Sequence, residues 1–294
     1  MVQQNKQREV VMIETLRDRF CREMTVRGHS QRTQNSYLLN VRLLVKRTGK
    51  HPAKLTTEDL GNYFAWMVNV HGVEPSTYRQ HLVAVKLFFE AVLKREEEFF
   101  AYAGPKKRRK LPIVLTVNET HRMLNALHVP RIRSAAVVGY SCGLRKSEIV
   151  SLSVDWITAE TGSLHIHNGK GGVDRVVPLP KRTLSILKEH WKREQPSGKF
   201  LFESKHRSRR TLSGETIRKA LKAAAKTAGI NRSVCLHTLR HCYASHLMEY
   251  GVPLPLIQRW MGHKSITTTM VYTQVTPSSL ERAHSALNRL TEAL

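Results

Sequence analysis

No apolar run of about 18 residues occurs anywhere in the 294 residues, so a membrane-spanning helix is not expected. The first twenty residues, Met1 to Phe20, are polar and of mixed charge and lack the apolar stretch of a secretory leader. The four cysteines, Cys21, Cys142, Cys235 and Cys242, form no Cys-x-x-Cys pair and no regular framework. That pattern fits a reducing, intracellular setting and not a disulfide scaffold. There is no Gly-x-x-x-x-Gly-Lys-Ser/Thr loop to cradle nucleotide phosphates and no paired acids for a two-metal centre. Acidic residues are scarce too: 23 Asp+Glu stand against 48 Lys+Arg, a formal net charge of +25.

That imbalance sets the class of partner. Such a field attracts polyanions, and neutralising phosphates releases counterions that drive binding. DNA or RNA is therefore expected. A ribosomal-type basic protein carries the same excess, so charge alone does not separate the two and motifs must decide. The hydrophobic content of 41% is enough to build cores. The length suits one large domain or two ordinary ones.

The first third reads as helical. Ile13, Leu16, Phe20 and Met24 recur at helical spacing, and Ser30 suits the N-cap of a helix carrying Tyr37, Val41, Leu44 and Val45. A third helix starts at Thr57 with Leu60, Phe64 and Met67 on one face. A fourth starts at Ser76 with Leu82, Val85, Phe88, Phe89 and Val92. This predicts a small domain of four or five helices ending near Glu98. Gly104 and Pro105 then interrupt, and Lys106, Lys107, Arg108, Arg109 and Lys110 form an unbroken basic run. A second domain is expected from near Ile113. Thr116 caps its first helix, and an apolar stretch from Ala135 to Tyr140 runs into Gly143-Leu144-Arg145. Leu164 and Ile166 alternate with His165 and His167. The turn Gly169-Lys170-Gly171-Gly172 then leads to a returning strand from Arg175 to Leu179, which is a β-hairpin pattern. Helices are expected again at Leu184 to Trp191, Ser213 to Ala228 and Thr238 to Tyr250. The threonines and valines of Ser265 to Val275 favour strand, and Ser278 to Leu294 is amphipathic.

Four short blocks carry chemistry: Gly143 to Glu148, Gly169-Lys170-Gly171, His237 to His241, and Met261-Gly262-His263 followed by Tyr272. They offer two arginines, a lysine, histidines and a tyrosine, with no carboxylate cluster. That inventory suits a phosphoryl transition state handled by side chains alone. Guanidiniums bind non-bridging oxygens, imidazoles relay protons, a lysine protonates a departing alkoxide and a tyrosine attacks. Singly, each residue has a bland alternative as a surface, turn or core residue. The dense group Cys235, His237, His241, Cys242 and His246 suggests zinc. However, it lacks the glutamate of His-Glu-x-x-His, and its pairs are offset by five residues, so no metal is expected.

With these blocks the chain resembles the tyrosine recombinase, or phage integrase, family over nearly its whole length, as a simple two-domain Xer-like or transposon/integron-like member. The resemblance implies a mainly α fold with a small β-hairpin or sheet. It comprises an N-terminal helical, SAM-like core DNA-binding domain (8–100), a basic linker (101–113) and an α+β catalytic domain with a tail helix (114–294). It implies Arg145, Lys170, His237, Arg240, His263 and Tyr272 as catalytic residues, Glu148 as the acid that orients Arg145, and Lys106 to Lys110 as a DNA contact. It also implies a short helix at Ser265 to Val275. The reaction implied is site-specific recombination through a 3′-phosphotyrosyl intermediate, with no cofactor and no metal. The partners implied are double-stranded DNA, three further copies of the chain in a tetramer on two duplexes, and an accessory or directionality factor. The chain itself would be a monomer or weak dimer when free of DNA, in a prokaryotic cytoplasm with the nucleoid. Three competing readings are a type IB topoisomerase, a DNA-binding regulator without catalysis, and a metal-dependent nuclease.

Overall fold

A computed structural model describes residues 15–96, 100, 112–167, 174–204, 207–263 and 270. The chain divides into two compact units, Met1–Arg109 and Lys110–Leu294. The first unit is helical: α1 (helical residues 15–26), α2 (Gln31–Thr48), α3 (Thr57–Asn69) and α4 (Pro75–Phe88), with a π-helical turn at Phe89–Leu93. Local chemistry sets the ends. Ser30 caps α2 through Thr33 N, and Gly49 ends it with φ 67°. A capping box of Thr56 and Asp59 opens α3, and Lys50 ties to Asp59 at 2.7 Å. The fourth helix begins one residue before the expected Ser76, because Pro75 is preorganised for a first helical position. The expected stripes meet in one core of Phe20, Met24, Val41, Leu44, Leu60, Phe64, Met67, Val85, Phe88 and Phe89. Each such large side chain contributes about 1.5–3 kcal/mol on burial.

The second unit is α+β. Its helices are α5 (Val117–Asn125), α6 (Pro130–Ser141), α7 (Lys146–Val150), α8 (Lys181–Glu194), α9 (Gly214–Thr227), α10 (Leu236–Glu249) and α11 (Leu254–Met261). An antiparallel sheet has the order β1 (Ile157–Thr158), β2 (Ser163–Ile166), β3 (Arg175–Pro178), with Leu164 opposite Val177 and Ile166 opposite Arg175. A second hairpin joins β4 (Glu203–Ser204) and β5 (Arg207–Thr211). Neither this hairpin nor the first strand of the sheet was expected: β1 and β4 have two residues each and carry no usable period, and β5, Arg-Ser-Arg-Arg-Thr, shows no apolar alternation. Likewise α7 is too short for a stripe, and its start is marked by Glu148 instead.

Helix α6 is buried on most of its surface, through Ile132, Ser134, Ala135, Ala136, Val138 and Gly139. Small residues let neighbours close in: a Cβ on Gly139 would lie 2.6 Å from Ile149 Cδ1. The start of the unit is anchored from α10. Leu115 N donates to Cys242 Sγ (3.2 Å), and His246 Nε2 donates to Leu115 O (2.8 Å). The other ring nitrogen of His246 therefore accepts from the Tyr140 hydroxyl (2.8 Å). Two members of the zinc-like group are thus occupied in packing α10 against Leu115 and α6. Among the described residues, no helix is long and apolar enough to cross a membrane.

Candidate active site

Arg145 lies at the turn between α6 and α7. Gly143 makes that turn with φ 59°, where a Cβ would lie 2.4 Å from Tyr243 Cδ1. Glycine is required there on both counts. Leu144 is buried, so Arg145 is held from below while 18% of its side chain remains exposed. Glu148, three residues on, accepts from the Arg145 backbone N at 2.7 Å and from Nη1 at 2.9 Å. The expected role of Glu148 in orienting Arg145 has this geometry.

Sequence reasoning missed Arg175. In β3 the burial alternates, with Arg175 and Val177 inward and Val176 and Pro178 outward. An arginine on the inward face must have a partner, and that was the available signal. Its Nη1 and Nη2 donate to the two oxygens of Glu148 at 2.8 and 2.7 Å. The carboxylate thus accepts four hydrogen bonds, its full capacity. Burial pushes its pKa up, but the bonds from Arg175, followed by those from Arg145, outweigh this and bring it down to about 2.

The other end of the site is the C-terminus of α11. Three consecutive carbonyls each accept from a different arginine: Trp260 O from Arg175 Nε (2.7 Å), Met261 O from Arg240 Nη2, and Gly262 O from Arg145 Nη2 (2.7 Å). Positive groups at a helix C-terminus also complement its dipole. Arg240, on α10 and 3% exposed, donates through Nη1 to Gly143 O at 2.5 Å as well, so it bridges the two glycine turns. Gly262 ends α11 with φ 62°, and a Cβ on it would lie 2.9 Å from Arg175 Cδ. His263 follows directly. Its backbone N donates to Gln258 O, and Gln258 Nε2 donates back to His263 O. Burial and then the charges of Arg240 and Arg145 lower the His263 pKa to about 4, so the ring is neutral at pH 7.

His237 is exposed in the first turn of α10, one turn before His241, with ring centroids 6.1 Å apart. Burial, then His237 and Arg240, lower His241 to about 4. A cleft of about 490 Å³ opens at Arg145, Arg175 and His263, lined also by His165, His167, Asp174 and Arg259 among others. The fold therefore brings Arg145, Glu148, Arg240 and His263 together and adds Arg175. Lys170, Tyr272 and the run Lys106 to Lys110 lie outside the described residues, as do the segment around Tyr272 (apart from residue 270) and the tail.

Residues 114–279 match the sequence model described as the phage integrase family, and residues 16–98 match its N-terminal SAM-like domain. The chain belongs to the phage integrase family of tyrosine recombinases. All six candidate catalytic positions fall within the first match. Tyrosine recombinase XerD of Oceanobacillus iheyensis is 30% identical over 274 residues, covering 87% of this chain and 91% of the relative. Tyrosine recombinase XerA of Pyrococcus furiosus is 36% identical over 197 residues, covering 66% of this chain and 68% of the relative. A lambda integrase dimer bound to a COC′ core site superposes with a TM-score of 0.71. It covers 89% of this chain and 95% of that one, and at 20% identity it speaks for the fold alone.

Proposed function

We propose that Arg145, Lys170, His237, Arg240, His263 and Tyr272 form the site with which this tyrosine recombinase cuts and rejoins double-stranded DNA at specific sequences. The observation that carries this is the convergence of Arg145 and Arg240 on adjacent carbonyls, Gly262 and Met261, immediately before His263. Three guanidiniums gather there against one carboxylate, Glu148. The cleft beside them is lined by Arg145, Arg175 and Arg259 against Asp174, and that excess of positive charge suits a phosphodiester, whose charge grows as it becomes pentacoordinate.

In the first step the Tyr272 oxygen attacks the scissile phosphorus as its proton passes to the unprotonated ring nitrogen of His263. The bond from phosphorus to the 5′ oxygen breaks, leaving a 3′-phosphotyrosyl link and a free 5′-hydroxyl. Lys170 supplies the proton to that departing oxygen. Arg145 and Arg240 hold the non-bridging oxygens, and a guanidinium's five donors exceed the two that Arg145 spends on Glu148 and Gly262. His237 adds a hydrogen bond to the phosphate. A neutral His263 donates one N–H to the phosphate and can take a proton on its other nitrogen. In the second step a 5′-hydroxyl from the exchanging strand attacks the phosphotyrosine as its proton passes to Lys170, and tyrosine leaves, taking back the proton held by His263. One phosphoester bond forms as another breaks, so bond energy is conserved through the cycle.

The assembly proposed for it is the one that the resemblance to the family implies. A helical domain (8–100) and a catalytic domain (114–294) each bind the duplex, and Lys106 to Lys110 in the linker (101–113) contact a phosphate backbone. Four copies hold two duplexes, the tail of one copy docking on the next. The setting is the nucleoid of a prokaryotic cytoplasm.

The test is covalent trapping. DNA linked to the wild-type chain is isolated under denaturing conditions and sequenced, with Tyr272→Phe as control. Recurrent sites with a protein-linked 3′ end are expected from wild type and none from the variant, while the variant's DNA affinity stays nearly unchanged. If binding disappears along with trapping, Tyr272 is structural. If strands are cut without a covalent link and EDTA stops the cutting, the chain is a metal-dependent nuclease.

A further inference from the structure

We propose that Arg175 is a positioning residue of this site, holding Glu148 and the end of α11 in register so that Arg145 and His263 are presented to the phosphate together. This rests on the active-site reading above. The side chain of Arg175 is 4% exposed and makes three bonds, two to Glu148 and one to Trp260 O. It divides the oxygens of Glu148 with Arg145. Glu148 Oε1 takes Arg145 Nη1 and Arg175 Nη1, and Oε2 takes the Arg145 backbone N and Arg175 Nη2. Arg145 and Arg175 also take alternate carbonyls of one turn, Gly262 and Trp260.

This geometry does more than fill a core position. An apolar side chain at 175 would satisfy the inward face of β3 without desolvating an ion pair. It could not hold a carboxylate and a helix-end carbonyl at once. With Arg175 gone, Glu148 loses the two donors that oppose the pull of Arg145. Arg145 can then close on both oxygens and swing away from Gly262 O. The turn before His263 loses two of its three arginine tethers in consequence. A lysine keeps the charge but cannot make two parallel bonds to Glu148 and a third to Trp260 O. Arg175 also lies on the strand that leaves the segment containing Lys170. The one residue therefore ties that strand to the acid of Arg145 and the helix of His263.

The experiment compares full-length wild type, Arg175→Lys, Arg175→Gln, Glu148→Gln and the double variant Glu148→Gln/Arg175→Gln. For each, the thermal midpoint, the equilibrium DNA affinity and the single-turnover rate of covalent trapping at saturating protein are measured. For Arg175→Lys, affinity is expected within about threefold of wild type. Its trapping rate should fall about 100-fold, as for loss of a preorganised donor. The fall should persist however much protein is added. Arg175→Gln should cost less than about fivefold in the Glu148→Gln background, since the two residues act as a unit. Three outcomes overturn the proposal: variants that bind and trap at the wild-type rate, effects that multiply in the double variant, or trapping losses that follow only the unfolded fraction in both Arg175→Lys and Arg175→Gln. The last makes Arg175 a core residue and nothing more. If the wild type itself traps no DNA, the active-site reading has failed instead.

Discussion

Replacing Gly262 by alanine tests how rigidly the arginines grip the end of α11. Gly262 has φ 62° and Gly229, in the same unit, has φ 70°, so both sit in the left-handed region. An alanine there costs about 1–2 kcal/mol in backbone strain, partly offset by about 0.4–1 kcal/mol from a stiffer unfolded chain. At Gly229 nothing lies within 4 Å of the added Cβ, so the net cost there is expected near 1 kcal/mol or below. At Gly262 the Cβ would stand 2.9 Å from Arg175 Cδ. Carbon atoms prefer at least about 3.5 Å, so that methylene must retreat by roughly half an ångström. It adjoins a guanidinium held by three bonds of 2.7 to 2.8 Å. Loss of one charge-assisted bond adds about 1.5–3 kcal/mol, for a total of about 2–4 kcal/mol. Urea unfolding of Gly262→Ala and Gly229→Ala, followed by tryptophan fluorescence, isolates the difference. Equal losses in the two variants would show that Arg175 yields freely and that the end of α11 is not rigidly held.

Three further outcomes are expected. Glu148→Gln leaves two guanidiniums without their carboxylate and should cost about 3–5 kcal/mol in urea unfolding; a loss under 1 kcal/mol would mean that solvent reaches the pair. His241 and His263 are held near pKa 4, below the ordinary 6.5, so the unfolded chain binds more protons than the folded one between those values. Stability should therefore fall as pH drops from about 6.5 to 4, and below about 4.5 protonation of Glu148, held near 2, adds to the loss. His263→Asn should flatten the upper part of that slope, and an unchanged slope would remove His263 from the account. Covalent trapping should survive EDTA, since cationic side chains do the charge neutralisation, while DNA affinity should drop steeply between 50 and 200 mM salt, by orders of magnitude for about 6–10 phosphate contacts; salt-insensitive binding would argue against a backbone-tracking surface.

The sequence by itself determined the family and most of the fold. Arg145, His237, Arg240 and His263 sit in short blocks whose spacing is readable because each block is a local device: a glycine turn before Arg145, the first turn of α10, a glycine cap before His263. The helices of the first unit were legible for the same reason, since Ser30, Thr57 and Ser76 lie within one residue of the helix starts. Only the tertiary structure decided that Arg175 belongs to the site. It lies 27 residues from Glu148 and 85 from Trp260, and no local period links a strand residue to a helix end. Side chains far apart in the chain share one carboxylate only after β3, α7 and α11 have packed, because burial makes an unpaired charge too costly to leave alone.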